Sequence, residues 1–167
     1  MFNIFSLLII SVFLSAGNLW AAGLDTPKGK VILTIAGNIK KTNVNDTAQF
    51  DLQMLLAFKQ HEINTETPWT QGINKFEGPT INDLISYVAG EGQVISATAL
   101  NGYKIMIPTV DVYNYPVIVA LKRNDEILSI RKKGPGWVIS PWAENKELRD
   151  NRYYTRAIWQ LKYLEIK

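Results

Sequence analysis

The 167-residue sequence contains no cysteine and a single histidine, His61. Without a thiol the chain forms no disulfide, holds no iron–sulfur cluster and has no cysteine nucleophile, and one imidazole is too few for a multi-histidine metal site. Charge of one sign is not in large excess either. Eighteen Lys+Arg stand against 15 Asp+Glu, spread along the chain, so the basic stripe of a nucleic-acid-binding surface is missing and no nucleic-acid partner is expected. There is no internal repeat and no low-complexity run. From Met1 to Gly23 no side chain ionises, and Phe2 to Leu14 is dominated by apolar residues in a run too short to span a bilayer comfortably. Small residues follow in Ser15-Ala16-Gly17 and Ala21-Ala22-Gly23. This pattern predicts a cleavable signal peptide over residues 1–23 and an exported domain over residues 24–167. The leader has no Lys or Arg, which leaves an uncleaved anchor as the alternative. With no cysteine after the run, attachment of a lipid through a thiol is excluded.

What is present suits one globular domain. A hydrophobic content of 47% supplies a core, and without disulfides burial must hold the fold together. Lys30 to Ile35 alternates as a strand, read as an edge or entry strand and closed by Gly37. Asp51 is placed to cap a short helix carrying Leu52, Leu55 and Leu56, which ends near His61, where a solvated or capping role is expected of the imidazole. Glu62 to Thr67 reads as an extended strand running into Pro68. Thr80 and Asp83 have capping-box spacing ahead of a helix that stops at Gly90. Gln93–Leu100 and Tyr103–Pro108 form a predicted hairpin about Asn101-Gly102. Tyr115–Lys122 is a continuous apolar run, Asn124-Asp125 a turn, Glu126–Arg131 a following strand, and Ala157–Ile166 a half-buried strand. The expected fold class is α+β: a single domain with a mixed β-sheet and few short helices.

Three blocks carry a family likeness: Thr67-Pro68-Trp69-Thr70, Ala99-Leu100-Asn101-Gly102-Tyr103, and Lys133-Gly134-Pro135-Gly136-Trp137-Val138-Ile139-Ser140-Pro141. In this order, with Phe76-Glu77-Gly78, Pro108 and Asp111 between them, the sequence resembles the molybdopterin-binding domain of the sulfite oxidase family from about Phe50 to Ile166. Enzymes of that family hold molybdenum through a cysteine thiolate that this chain cannot supply, and serine or histidine would not reproduce its soft ligation. The likeness is nearer to the small exported members of the fold that bind a free pterin and regulate a membrane-bound diguanylate cyclase/phosphodiesterase. The resemblance therefore implies a periplasmic, non-enzymatic pterin-binding sensor, with a free pterin as ligand in preference to molybdopterin. It also implies, as partner, the periplasmic sensor region of an inner-membrane cyclic-di-GMP enzyme. A molybdopterin-dependent oxidoreductase, or a subunit of one, is the alternative.

A pterin is a flat bicycle whose pyrimidine edge presents an N–H beside an amine, a pair that one carboxylate can accept. On these grounds Asp111 is the candidate edge acceptor, and Trp69, Tyr103 and Trp137 are candidate ring walls. Asn101 is a further donor and acceptor, and Gly134 marks a loop whose backbone can approach a ligand closely. Structural roles compete at each position. Asp111 equally suits a helix cap before Tyr113, Asn101 a hairpin turn, and Trp69 and Trp159 core packing. The cluster Lys122-Arg123 and Arg131-Lys132-Lys133 reads as a solvated edge. Arg149, Arg152 and Arg156, with Tyr153 and Tyr154, read as a flexible loop for docking a partner or closing over a ligand.

Overall fold

The computed structural model describes residues 23–167. The predicted signal segment, apart from its last residue, lies outside them. The described chain is an α+β domain built on three sheets. The largest has five strands: β1 (Val31–Gly37), β2 (Ala48–Asp51), β5 (Val94–Ala99), β6 (Lys104–Pro108) and β11 (Leu161–Ile166), in the order β2-β1-β11-β5-β6. β1 and β11 run parallel and every other pair is antiparallel, so the sheet is mixed. A second, antiparallel sheet holds β3 (His61–Thr65), β4 (Asn74–Gly78), β8 (Lys122–Arg123) and β9 (Glu126–Ile127), in the order β3-β4-β8-β9. The third pairs β7 (Ile118–Ala120) with β10 (Trp137–Ile139).

Alternation in the strands builds the larger core. Leu33 and Ile35 of β1, Ile95 and Ala97 of β5, and Leu164 and Ile166 of β11 are buried with Phe50 on one face of the five-stranded sheet. α1 (Leu52–Ala57), α2 (Ile81–Tyr87) and α3 (Thr109–Asn114) contribute Leu55, then Ile81, Leu84 and Ile85, and Val112 to it. The caps are the ones the sequence indicates: Asp51 Oδ1 accepts the Met54 N–H at 2.9 Å, and Thr80 Oγ1 accepts the Asp83 N–H at 2.9 Å. Asn101-Gly102 closes the β5–β6 hairpin with Gly102 at φ 86°, a value glycine adopts without strain. A smaller core gathers Ile63, Phe76, Trp137, Trp142 and Leu148 between the other two sheets and the C-terminal loops.

Several expectations need correction. β1 is the first described strand, the entry of the two readings, but not an edge: it lies between β2 and β11, and its parallel partner comes from the far end of the chain. The strand expected over Glu126–Arg131 stops at Ile127 and gives way to a 3-10 turn over Ile130–Lys132. The strand expected from Ala157 starts at Leu161. Gln160, at φ 52°, interrupts extension, and a bulge between Leu161 and Tyr163 reverses the side-chain phase, so Tyr163 points away from the core that Leu161 and Leu164 enter. A short helix at Asp111 was one of two readings of that residue and is present as α3, whereas β2, β4, β10 and the short α4 (Asn151–Tyr154) were not anticipated.

Asp51 does more than cap α1. Its Oδ2 also accepts the N–H groups of Lys28 (2.9 Å) and Gly29 (2.8 Å), tying the leading segment to the sheet. The Met54 and Gly29 N–H groups hold its carboxyl below the ordinary carboxylate pKa, against the opposing effect of burial. A depressed folded-state pKa contributes stability that is complete above the unfolded value near 4 and is lost as pH falls through the lowered one. Urea denaturation between about pH 2 and pH 6 is expected to show a flatter acid limb for Asp51→Asn than for the parent. Thr80→Ala, which removes only a cap, is expected to cost about 1 kcal/mol at any pH in that range.

Candidate functional site

The turn after β3 and the turn between β5 and β6 converge with the segment that follows α4. Between them lies a cleft of about 340 Å³. Trp69 reaches it from the first turn, where Thr67 Oγ1 accepts the Trp69 N–H at 3.2 Å and meets Thr70 Oγ1 at 2.8 Å. Asn74 fixes the same turn by donating to the carbonyls of Gln71 and Gly72, both at 3.0 Å. Ala99, Asn101 and Tyr103 line the cleft from the hairpin, and Tyr154, Thr155, Ala157, Ile158 and Trp159 line it from the far side. Tyr103 is 51% exposed at the mouth. Asn101 Oδ1 accepts the Tyr103 N–H at 3.0 Å, so its oxygen shapes the turn while its amide nitrogen has no partner among the described residues.

The walls are aromatic and set edge to face. Trp69 lies 5.5 Å from Trp159 at 69° and 6.4 Å from Tyr154 at 87°. Among the described residues no Asp, Glu, Lys or Arg lines the cleft. Lys133 stands beside it: its Nζ sits 3.8 Å from the centroid of the Trp159 ring, and burial, with Arg123 adding to it, pulls its ammonium below the ordinary lysine pKa. A neutral slot with π-rich walls is suited to a flat, uncharged heteroaromatic ligand.

Of the six residues singled out in the sequence, the fold brings three together here: Trp69, Asn101 and Tyr103. The other three support the slot or lie away from it. Trp137 has no exposed surface, so it cannot be a ring wall. It packs 6.1 Å from Trp69 and 6.4 Å from Trp159, and its Nε1–H donates to the Ala157 carbonyl at 3.1 Å, backing the wall from behind. Asp111 stands in the first turn of α3 and is not its cap, which is Pro108. The residue is 8% exposed, its carboxylate is ion-paired with Arg156 beside a void of about 10 Å³, and it does not line the cleft. Gly134 is buried against β9's continuation, where an added Cβ would lie 2.0 Å from the Leu128 carbonyl oxygen; its lack of a side chain serves loop packing.

Sequence reasoning ranked Trp159 as a packing residue and treated Tyr154 as part of a basic loop. Both are cleft walls. No local signal marks them: Gln160 turns to φ 52°, which the alternation of the sequence does not reveal, and leaves Trp159 outside β11 and paired as a bridge with Trp137. The arginines of that loop are engaged: Arg149 donates to the carbonyls of Trp142 and Ala143, both at 2.7 Å, Arg152 to Asp150, and Arg156 to Asp111. His61 opens β3, its Nε2 3.2 Å from Asp83 Oδ2.

No family model matches the chain, and no curated protein matches it. Among solved structures it is similar to the sulfane dehydrogenase SoxCD from Paracoccus pantotrophus, with a TM-score of 0.59 and 17% identity over 80% of this chain. The chain spans 37% of the length of that protein. At this identity the likeness establishes the fold alone, an α+β arrangement shared with that protein.

The Asp111–Arg156 pair anchors the segment that supplies Tyr154, Thr155 and Ala157 to the cleft. Arg156→Ala leaves a buried carboxylate unpaired, and the expected loss is about 2 to 4 kcal/mol in chemical denaturation, whereas replacing both partners by apolar residues is expected to cost less than removing either one.

Proposed function

We propose that the protein is a non-catalytic pterin-binding sensor whose ligand state is read by the periplasmic region of an inner-membrane cyclic-di-GMP-metabolising enzyme. The observation that carries the ligand class is the neutral aromatic cleft formed by Trp69, Tyr103, Tyr154 and Trp159. A pterin is flat, aromatic and uncharged, and stacking against such walls contributes roughly 0.5 to 1.5 kcal/mol per ring beyond buried area. The Asn101 amide nitrogen, which has no partner among the described residues, is a polar group available to its edge.

Molybdopterin with its metal fits these residues poorly. Its terminal phosphate calls for cations, and none lines the cleft; the thiolate that completes the metal's ligation in sulfite-oxidase-type enzymes is missing from the sequence. The oxidoreductase alternative therefore has only the fold likeness in its favour. The sensor reading takes its partner from the resemblance in sequence and its export from the apolar leader. It requires ligand-bound and ligand-free forms to differ in affinity for the partner, and linkage then makes the partner tighten pterin binding by the same factor, typically about 5 to 150-fold.

The direct experiment is to denature the protein purified from the exported fraction and identify what it releases by fluorescence and mass spectrometry, with metal analysis alongside. A pterin without molybdenum is the expected result, and stoichiometric molybdenum would return the oxidoreductase. In titrations followed by tryptophan fluorescence, Trp69→Ala and Trp159→Ala are each expected to weaken pterin binding by roughly tenfold or more. Unchanged affinity in both variants would remove the cleft from the reading.

A further inference from the structure

A second hollow, of about 480 Å³, opens on the outer side of the five-stranded sheet, between the leading residues of β1 and β11 and the loop that follows β9. Four of the large aliphatic side chains around it are exposed: Val31 (37%), Leu100 (41%), Ile127 (44%) and Ile130 (52%). Exposed branched residues gathered about one concavity mark an interaction site more often than a solvated surface. Its charged lining residues are Lys30 and Lys162, and neither has an acidic partner among the described residues. The groove is apolar along its floor and carries charge of one sign at its rim.

One wall also offers backbone. β9 is the outer strand of its sheet. The Leu128 N–H donates to the Leu121 carbonyl at 2.8 Å, so the adjoining Lys122–Ile127 pair falls at a non-hydrogen-bonded position of the ladder. At such a position on an edge strand the N–H and C=O of Ile127 are directed away from β8. A lipid surface would leave these groups without partners, whereas a polypeptide satisfies them while laying apolar side chains into the groove.

From this combination we propose that the groove docks an acidic, apolar polypeptide segment of a partner protein. Its aliphatic side chains pack on Ile32, Leu52 and Leu100, and its carboxylates meet Lys30 and Lys162. Leu100 lies in the same turn as Ala99 and Asn101 of the aromatic cleft, so a docked segment touches a wall that the two hollows share. The docking inference stands whatever ligand the cleft takes.

The test uses the purified protein and a fluorescein-labelled peptide of about eight residues alternating leucine and glutamate, with a leucine–lysine peptide of equal length as its counterpart. Fluorescence anisotropy is expected to show binding of the acidic peptide only. Lys30→Glu/Lys162→Glu, at two exposed positions, is expected to weaken it by about tenfold and to transfer binding to the basic peptide. Ile130→Asp, at an exposed rim position, is expected to weaken the acidic peptide with no change in the thermal unfolding midpoint. Equal binding of both peptides, or acidic-peptide affinity unchanged by the charge reversal, overturns the proposal. So does loss, in the charge-reversed protein, of binding to phosphatidylglycerol vesicles when the acidic peptide never bound, which would assign the face to a membrane. A dimer in sedimentation velocity that the same substitutions dissociate would assign it instead to a second copy of the chain.

Discussion

The indole of Trp137 is the constraint on which the candidate site depends. It sits on β10 with no exposed surface, edge-on to Phe76 at 5.4 Å, with its N–H bonded to the Ala157 carbonyl. An indole buried this completely must place its one donor, and the acceptor it finds belongs to the segment that carries the cleft's far wall. The same ring packs against Trp69 and Trp159, so the two principal walls of the slot rest on one buried side chain. The β10–β7 ladder and the Trp137–Trp159 bridge then connect the small core to the segment leading into β11, the central strand of the large sheet.

Around that anchor the fold divides its work. The five-stranded sheet and its three helices form an aliphatic core whose role is stability, and the loops at its margin carry the chemistry. The cleft has no charged lining, although charged residues lie close by: Asp111 and Arg156 neutralise each other behind the wall, and Lys133 covers the outside of Trp159. Ionised groups are thereby kept on the supporting side of the site, and among the described residues the cleft presents aromatic faces and the Asn101 amide nitrogen. Such a surface is suited to recognition by shape and stacking.

Much of this could be read from residue order. The Asp51 and Thr80 caps, the Asn101-Gly102 hairpin and the Asn124-Asp125 turn are local devices whose signals lie within four residues, and all four are found where the sequence places them. Elements that depend on distant partners were less legible. β2 and β10 are short strands that exist because a neighbour presents a ladder, and β11 changed phase at a bulge that its alternation does not reveal. The candidate site divides the same way: Trp69, Asn101 and Tyr103 sit in turns with strong local signals, whereas Asp111 and Trp159 exchanged their expected roles because of contacts made across 45 and 22 positions.

By itself the sequence determined the α+β class, the caps and turns, the absence of any thiol, and the supply of aromatic residues from which a neutral slot could be made. Only the tertiary structure decided which aromatics face the slot and which stand behind it. The same is true of the carboxylate spent on an arginine and of the aliphatic residues left exposed around the lysine-rimmed groove. The physical reason is range. Capping and turn formation are settled by neighbours along the chain, but the burial and charge state of a side chain are settled by whatever the fold packs against it, and here those partners come from opposite ends of the domain.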